Sequence, residues 1–357
     1  MFPNPPPGLD QFSCPKGAQR VEYLKLILRE LRSRKTELRS SFRAGGTVFP
    51  VGKAGGRQRA VWDGSRITLS AAKPPVPPHL ASPSALQNVE VPRGGVLRMW
   101  KRDGKCLFDQ LKLPSDLTPF MGRPPFLAKE LCEATATSLE TLREFWTSSQ
   151  ILTADSVVYP VGLVWAMGFG WSSWVSQCTM LDTCYKSGLD ENMILADDLP
   201  VPHRASPVYC VATDDIVYLS SGPKPVGRRA ARRLDSQFRR RGILKNADKD
   251  VDGDISGTMI GIDLVDGKHF AANSDKLAAL IRGGLVFFMQ GVGSPLQMAA
   301  FLGRVQWFNL LCRPTFAALD KVYEFARRAD SDMVVPFGDD VLGEIAMSLI
   351  LSLFLGH

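Results

Sequence analysis

Val208-Tyr-Cys-Val-Ala-Thr213, then Asp214 and Asp215, then Ile216-Val-Tyr-Leu219 form the stretch that decides how this chain is read. Two runs of strand-forming residues flank an acidic pair, the pattern of a β-hairpin whose two-residue turn is Asp-Asp, since Asp tolerates the positive φ such turns require. Like charges side by side repel, so a rigid hairpin that presents them together points to a bound cation. Taken alone the pair reads as a solvated turn, as most Asp-Asp pairs do. The rest of the chain decides between the two.

Working outward, 357 residues can bury one large core or two to three smaller ones. Hydrophobic content of 45% with 22% charged residues describes a folded globular chain, and 25 prolines with 31 glycines describe many loops. The net charge of +7 favours an anionic partner such as nucleic acid. Cys14, Cys106, Cys132, Cys178, Cys184, Cys210 and Cys312 contain no CxxC pair and no zinc spacing, so reduced thiols and an intracellular setting, nucleus or cytoplasm, are expected. A secreted disulfide scaffold is excluded on that pattern. The N-terminus Met-Phe-Pro-Asn-Pro-Pro-Pro lacks the basic and apolar regions of a signal peptide, and no apolar run has the roughly 18 residues that span a bilayer, so no membrane partner is expected. The run Ile345 to Leu355 predicts a buried helix that stops abruptly at His357.

Residues 1–18 are Pro-rich and expected to be disordered. Leu24, Ile27, Leu28, Leu31 and Leu38 recur at helical spacing and predict a basic amphipathic helix from Val21 to Phe42. A Gly-rich basic loop, Val51-Gly-Lys-Ala-Gly-Gly-Arg-Gln-Arg59, precedes a strand at Ala60-Val-Trp62. A loop from Ala72 to Pro83, a strand at Val96 to Trp100, a helix near Ser138 to Trp146 and a strand at Val157 to Val164 follow. Residues 228–241 predict a helix with Ala231, Leu234 and Phe238 on one face and arginines elsewhere, which reads as a solvated face or as a track for a phosphate backbone. From Ser294 the chain reads as all-helical, with Ser294-Pro-Leu-Gln297 a capping box that has proline at the first helical position.

The order of these pieces resembles the fingers, palm and thumb of reverse transcriptases, particularly those of retrotransposons, over roughly residues 45–330. Asp103-Gly-Lys-Cys-Leu-Phe108 fits the first palm motif, an acid followed five residues later by an aromatic. The resemblance implies that Asp103 is a metal ligand and that Phe108 underlies the incoming sugar and excludes a ribose 2′-hydroxyl. A rival register uses Asp109 but places Pro114 at the aromatic position, and Lys101 and Arg102 depart from the apolar residues that usually precede the acid. Met167-Gly-Phe-Gly-Trp-Ser-Ser-Trp-Val-Ser-Gln177 is similar to the turn and helix that contact template and nucleotide, which implies substrate-binding roles for Met167, Gly168 and Gln177. Glycine at 168 is read as letting backbone approach the base pair closely.

Ala212-Thr-Asp-Asp215 is similar to the third palm motif, with Ala where an aromatic is commoner; Asp214 is then the stronger metal ligand and Asp215 the lesser. Gly242-Ile-Leu-Lys-Asn-Ala-Asp-Lys249 looks like the motif whose lysine, here Lys249, protonates the departing pyrophosphate. Met259-Ile-Gly-Ile262 resembles the primer grip. Arg57 and Arg59, helped by Lys53, stand where fingers cations grasp the triphosphate, work suited to guanidinium forks.

The implied architecture is α+β and right-handed, with an antiparallel-sheet palm and a helical thumb. Residues 1–44 are expected to be the disordered start and basic helix, 45–99 fingers, 100–245 palm with a fingers insertion at about 120–156, 246–330 palm edge and thumb, and 331–357 the truncated start of a connection region. The implied activity is RNA-directed DNA polymerase, a nucleotidyltransferase that extends a DNA primer on an RNA or DNA template with deoxynucleoside triphosphates. It would use two Mg2+ ions, or Mn2+, on Asp103, Asp214 and Asp215. An inactive nucleic-acid-binding relic is the alternative. A third reading, calcium binding at Asp248-Lys-Asp-Val-Asp-Gly-Asp-Ile-Ser256, matches the start of an EF-hand loop but has Met259 where the bidentate Glu belongs and a strand-like flank, so it reads as a mimic.

Overall fold

The computed structural model describes residues 13–52, 56, 58–202, 207–328 and 331–354. Lys53 and Arg57 of the Gly-rich loop, and residues 1–12 of the Pro-rich start, lie outside the described residues. The chain divides into two units, Met1–Pro77 with Lys105–Thr179 and Pro78–Gly104 with Met180–His357.

In the first unit, helix α1 (Gly17–Arg32) buries Leu24, Ile27, Leu28 and Leu31 along one stripe. The expected helix to Phe42 ends instead at Arg32. Arg34 takes a φ of +56°, and the chain then enters strand β1 (Thr36–Arg39). Leu38 shares the spacing of the helix, yet it is a strand residue that reaches the same core by another route. Tertiary pairing overrides the helical pattern here. A hairpin of β2 (Thr47–Gly52) and β3 (Gln58–Asp63) leads to the short α2 (Ser65–Ser70).

Short helix α3 (Pro83–Leu86) and strand β4 (Arg98–Asp103) belong to the second unit, after which the chain returns to the first. There β5 (Phe126–Leu127) leads into α4 (Ala128–Thr135), and α5 (Leu139–Arg143) starts on a Ser138 cap. Strand β6 (Val157–Gly162) sits between β1 and β5 in an antiparallel sheet. Helix α6 (Ser172–Lys186) follows and carries the chain back to the second unit.

The second unit is built on a four-stranded antiparallel sheet in the order β7 (Val208–Ala212), β8 (Asp215–Ser220), β4, β9 (Val251–Asp254). Side chains alternate across a strand, so Met99, Lys101 and Asp103 share one face of β4 while Trp100 and Arg102 share the other. Val208, Cys210, Val217 and Leu219 continue the Met99 face into the main core. Helix α7 (Lys224–Arg240) covers the Trp100 face, where Gly227 lies so close that a Cβ would stand 2.3 Å from the Trp100 ring.

After β9 come a three-stranded sheet, β10 (Gly257–Met259), β11 (Ile262–Val265) and β12 (His269–Ala272), and helix α8 (Ser274–Gln290). Strands β13 (Val292–Gly293) and β14 (Val335–Pro336) pair around α9 (Pro295–Asn309) and α10 (Asp320–Ala326), and α11 (Asp339–Ser352) follows. The capping box of Ser294 and Gln297 forms as its spacing predicts. Among the described residues beyond Ser294 the elements are helices except for β14, whose pairing with β13 the periodicity does not signal. The calcium-like run is not a loop: Val251 to Asp254 are a ladder strand whose register shift sets Asp252 opposite Trp100 and Asp254 opposite Met99, on different faces, instead of gathering them around an ion. Among the described residues no helix is long and apolar enough to cross a membrane.

Candidate functional site

The β7–β8 hairpin forms one residue out of step with its sequence reading. Ala212 pairs with Asp215, so the two turn residues are Thr213 and Asp214, and Asp215 is the first residue of β8. The positive φ, +54°, falls on β-branched Thr213 instead of on an aspartate. That conformation costs of order 1–2 kcal/mol and is held by its surroundings. The Thr213 hydroxyl donates to the Ala212 carbonyl at 2.8 Å and also lies 3.0 Å from Asp214 Oδ1.

This register brings acids together from distant parts of the sequence. Asp103 ends β4 directly opposite Asp215. The Gly104 N–H donates to the Asp214 carbonyl at 2.8 Å, which ties the end of β4 to the hairpin tip. Asp103, only 3% exposed, is thus set beside the acidic pair. Asp109 belongs to the first unit, is exposed, and bridges to Lys35 at 2.6 Å.

Two lysines counter the three carboxylates. Lys249 ends a one-turn 3-10 helix, Ala247–Lys249, and sends its ammonium to Asp103 at 2.8 Å, with its side chain still 55% exposed. Lys101, on the same face of β4 as Asp103, lies 3.4 Å from Asp215. Burial, against the opposing charge of Lys101 and reinforced by the nearby Asp103 and Asp214, pushes the Asp215 carboxyl up to about 6. Its Oδ1 is buried and accepts no hydrogen bond. The hydrogen bond to Asp103, then its charge and those of Asp215 and Asp214, raise the pKa of Lys249 and keep it protonated. Lys101 was legible only as an oddity in the sequence; strand alternation from Asp103 was the signal that places it in the site.

Arg102 points the other way and is only 3% exposed. It forks onto Asp235 of α7 at 2.8 and 3.2 Å, reaches Asp252 of β9 at 2.8 Å, and donates to the carbonyls of Lys101 and Val251. Lys245 joins the cluster through Asp235 at 2.8 Å and through Asp250. Burial opposes the Arg102 charge, but its carboxylate partners raise its pKa overall; burial likewise opposes ionised Asp235, which Arg102 and Lys245 hold below the usual carboxylate value. The basic approach to Asp103 therefore fits a buried strand because each cation has a carboxylate partner.

The remaining sequence candidates lie in the first unit. Phe108 sits half-buried in a short 3-10 turn, Leu107–Gln110. Arg59 is exposed on β3, with Nη1 3.4 Å from the Met167 sulfur. The Met167 carbonyl accepts from the Trp62 N–H, and Gly168, at φ +110°, lies where a Cβ would meet the Trp62 carbonyl at 1.9 Å. A close backbone approach within the protein thus requires glycine there. Gln177 is fully buried in α6.

The donor set of the cluster, carboxylate oxygens with one buried oxygen lacking a donor, suits a hard divalent cation. Lys249 and Lys101 already pair with Asp103 and Asp215, and among the described residues no group of three acid, His or Cys side chains is placed to hold a metal ion.

No protein-family model and no curated protein matches the sequence. Solved structures do match its fold. They include a foamy viral protease-reverse transcriptase in complex with RNA/DNA hybrid, at TM-score 0.62 and 11% identity over 99% of this chain and 39% of that one. Two further structures of the foamy viral protease-reverse transcriptase, both with double-stranded DNA, match at TM-scores of 0.60 and 0.58 and 12% identity, covering 99% and 98% of this chain. The chain spans 50% and 60% of those two proteins. Mixed α/β architecture with antiparallel sheets, on a fold like that of viral reverse transcriptases, is what these likenesses establish.

Proposed function

We propose that the chain is the polymerase portion of a retroelement reverse transcriptase, a nucleotidyltransferase that adds deoxynucleotides to a primer on an RNA or DNA template. The observation that carries this reading is the placement of Asp103 opposite Asp215 and beside Asp214 at one end of an antiparallel sheet. The four-stranded sheet is the palm in this reading, residues 45–99 and about 120–156 contribute fingers, and the helices after β12 are the thumb. Asp103 and Asp214, with Asp215 in support, would hold Mg2+, which supplies charge neutralisation and activation of the primer 3′-hydroxyl when bound.

The chain's own residues do the rest. Lys249, kept protonated beside Asp103, is positioned to give a proton to the departing pyrophosphate. Lys101 neutralises Asp215 from within the strand and limits the repulsion among the three acids. In the first unit, Arg59 and Arg57 take the triphosphate role, Phe108 the exclusion of a ribose 2′-hydroxyl, and Met167, Gly168 and Gln177 the template and nucleotide contacts. Primer extension on an RNA template in magnesium tests the reading: the wild-type chain extends, and Asp214→Asn abolishes extension while Asp254→Asn does not. A clean wild-type preparation that incorporates no deoxynucleotide, or an active Asp214→Asn, sinks it.

The lysine ion pairs favour one second reading. With Asp103 and Asp215 already neutralised by Lys249 and Lys101, the same fold can bind nucleic acid and perform no chemistry. A chain that binds a primer–template and never extends it is that relic.

A further inference from the structure

The chain's excess charge is concentrated in one segment. Residues 224–241 carry eight basic side chains against the single acid Asp235, a net +7 that equals the formal charge of the whole chain. All other residues together are balanced.

Helix α7 separates these charges from its packing face. At about 100° per residue, Gly227, Ala230, Ala231, Leu234 and Phe238 fall within one arc and are buried. Arg228, Arg229, Arg232, Arg233, Arg239 and Arg240 fall in the opposite arc, all exposed, and none makes an ion pair among the described residues. The one acid, Asp235, is turned inward to Arg102. No carboxylate on the helix therefore quenches the stripe. Successive positions four apart advance about 6 Å along the helix, which lets Arg228 and Arg232 meet consecutive phosphates.

The stripe also faces away from the carboxylates. Asp103 and Lys101 share one face of β4, whereas α7 covers the other through Trp100 and Arg102. The helix starts beyond the Ser220 end of β8, and only at Asp235 does it come level with Arg102. Arg228, Arg229, Arg232 and Arg233 thus stand on the rear of the sheet, toward the end remote from Asp103.

We propose that the exposed face of α7 is a second, sequence-independent nucleic-acid site that grips a phosphate backbone on the rear of the four-stranded sheet, separate from the carboxylate end. Guanidinium forks suit phosphate oxygens, and six of them on one helix face, with the helix's single acid turned inward, complement a polyanion. This inference does not depend on catalysis.

Fluorescence anisotropy with the full chain tests it, using a labelled mixed-sequence RNA single strand and a DNA duplex over a salt series. Changing Arg228, Arg229, Arg232 and Arg233 together to Gln is expected to weaken binding on the order of 100-fold at low salt, and to flatten the slope of log K against log salt by about 0.7–0.9 for each phosphate no longer neutralised. The same four changed to Lys should keep most of the slope. The Gln variant, with unchanged circular dichroism and melting, should extend a short primer–template as the wild type does. Unchanged affinity and slope in the folded Gln variant overturn the proposal, as does equal displacement of RNA by polyglutamate at matched charge, which marks a surface for acidic proteins. A wild type that fails to extend primers yet loses RNA binding in the Gln variant overturns the polymerase reading and leaves this one standing.

Discussion

On one face of β4 the Arg102 guanidinium divides its donors among Asp235, Asp252 and two backbone carbonyls; on the other, Lys101 and Lys249 each send a single ammonium to one carboxylate. Both clusters set two cations against three acids, and both keep one buried oxygen without a donor, on Asp250 and on Asp215. What differs is the kind of cation. A planar fork spent on backbone as well as carboxylate locks α7, β4 and β9 together, whereas a lysine on a flexible stem holds a charge that another cation can displace. The rear cluster is built to stay and the front one to be opened.

The largest effect is expected where the rear cluster is broken. Arg102→Met strands the half-buried Asp235 and Asp250 and should cost about 3–5 kcal/mol, read by urea unfolding at neutral pH. Asp235 has a lowered pKa, so its contribution is present above the ordinary carboxylate value and is lost as pH falls through the lowered one. The variant should therefore lose its acid-labile stability, and Arg102→Lys should not restore it. A loss below about 1 kcal/mol would make the two clusters equivalent and end the comparison.

Next comes the front cluster's chemistry. Asp214→Asn should abolish detectable primer extension, a loss of at least about 10²–10³-fold, while shifting unfolding free energy by less than about 1 kcal/mol. Comparable damage to stability and activity would show that Asp214 belongs to the structure of the hairpin more than to a reaction.

Asp215→Asn, in protein kept free of metal by a chelator, should have a smaller effect that depends on pH. The folded carboxyl titrates at about 6 against an ordinary 3.8, so ionising it burdens the folded state. The group favours folding below the ordinary value, and that advantage is lost as pH rises through 6. Removing it should stabilise the protein by about 2 kcal/mol at pH 8 and leave stability near pH 4 unchanged. A difference that does not vary with pH would show that the burden is not ionisation.

Lys249→Gln completes the series. Its side chain is 55% exposed, so thermal melting should register less than about 1 kcal/mol. A larger loss would place Lys249 with Arg102 among the fixed cations.

These contrasts also mark what a sequence can disclose. The Val208 to Leu219 hairpin was legible because two apolar, strand-forming runs around a short acidic turn are a local signal, and Ser294 with Gln297 marked a helix start for the same reason. The hairpin register was not legible: Asp looked like the residue to take the positive φ, but the pairing of Ala212 with Asp215 places that strain on Thr213. Leu38 misled because helical spacing is blind to a strand partner in β6 that comes much later in the chain. Lys101 and Arg102 looked wrong for a buried strand since their partners, Asp215, Asp235 and Asp252, are remote in sequence. The concentration of net charge in residues 224–241 was readable from the outset, while the face it occupies needed the packing of Gly227 on Trp100.

The strand order β7-β8-β4-β9 has a consequence for how the molecule comes into being. The β7–β8 hairpin closes across two residues and can zip on a microsecond scale. Strand β4 is synthesised long before its partners and must then be captured between β8 and β9, the slow, non-local step. Asp103 meets Asp215 only at that capture, so the acidic cluster is assembled late in folding, and its mutual repulsion opposes the very step that completes the sheet. Pulse-labelling hydrogen exchange would show the Cys210 and Val217 amides, which face each other across β7 and β8, protected before the Tyr218 amide, which faces β4, and simultaneous protection would overturn the order.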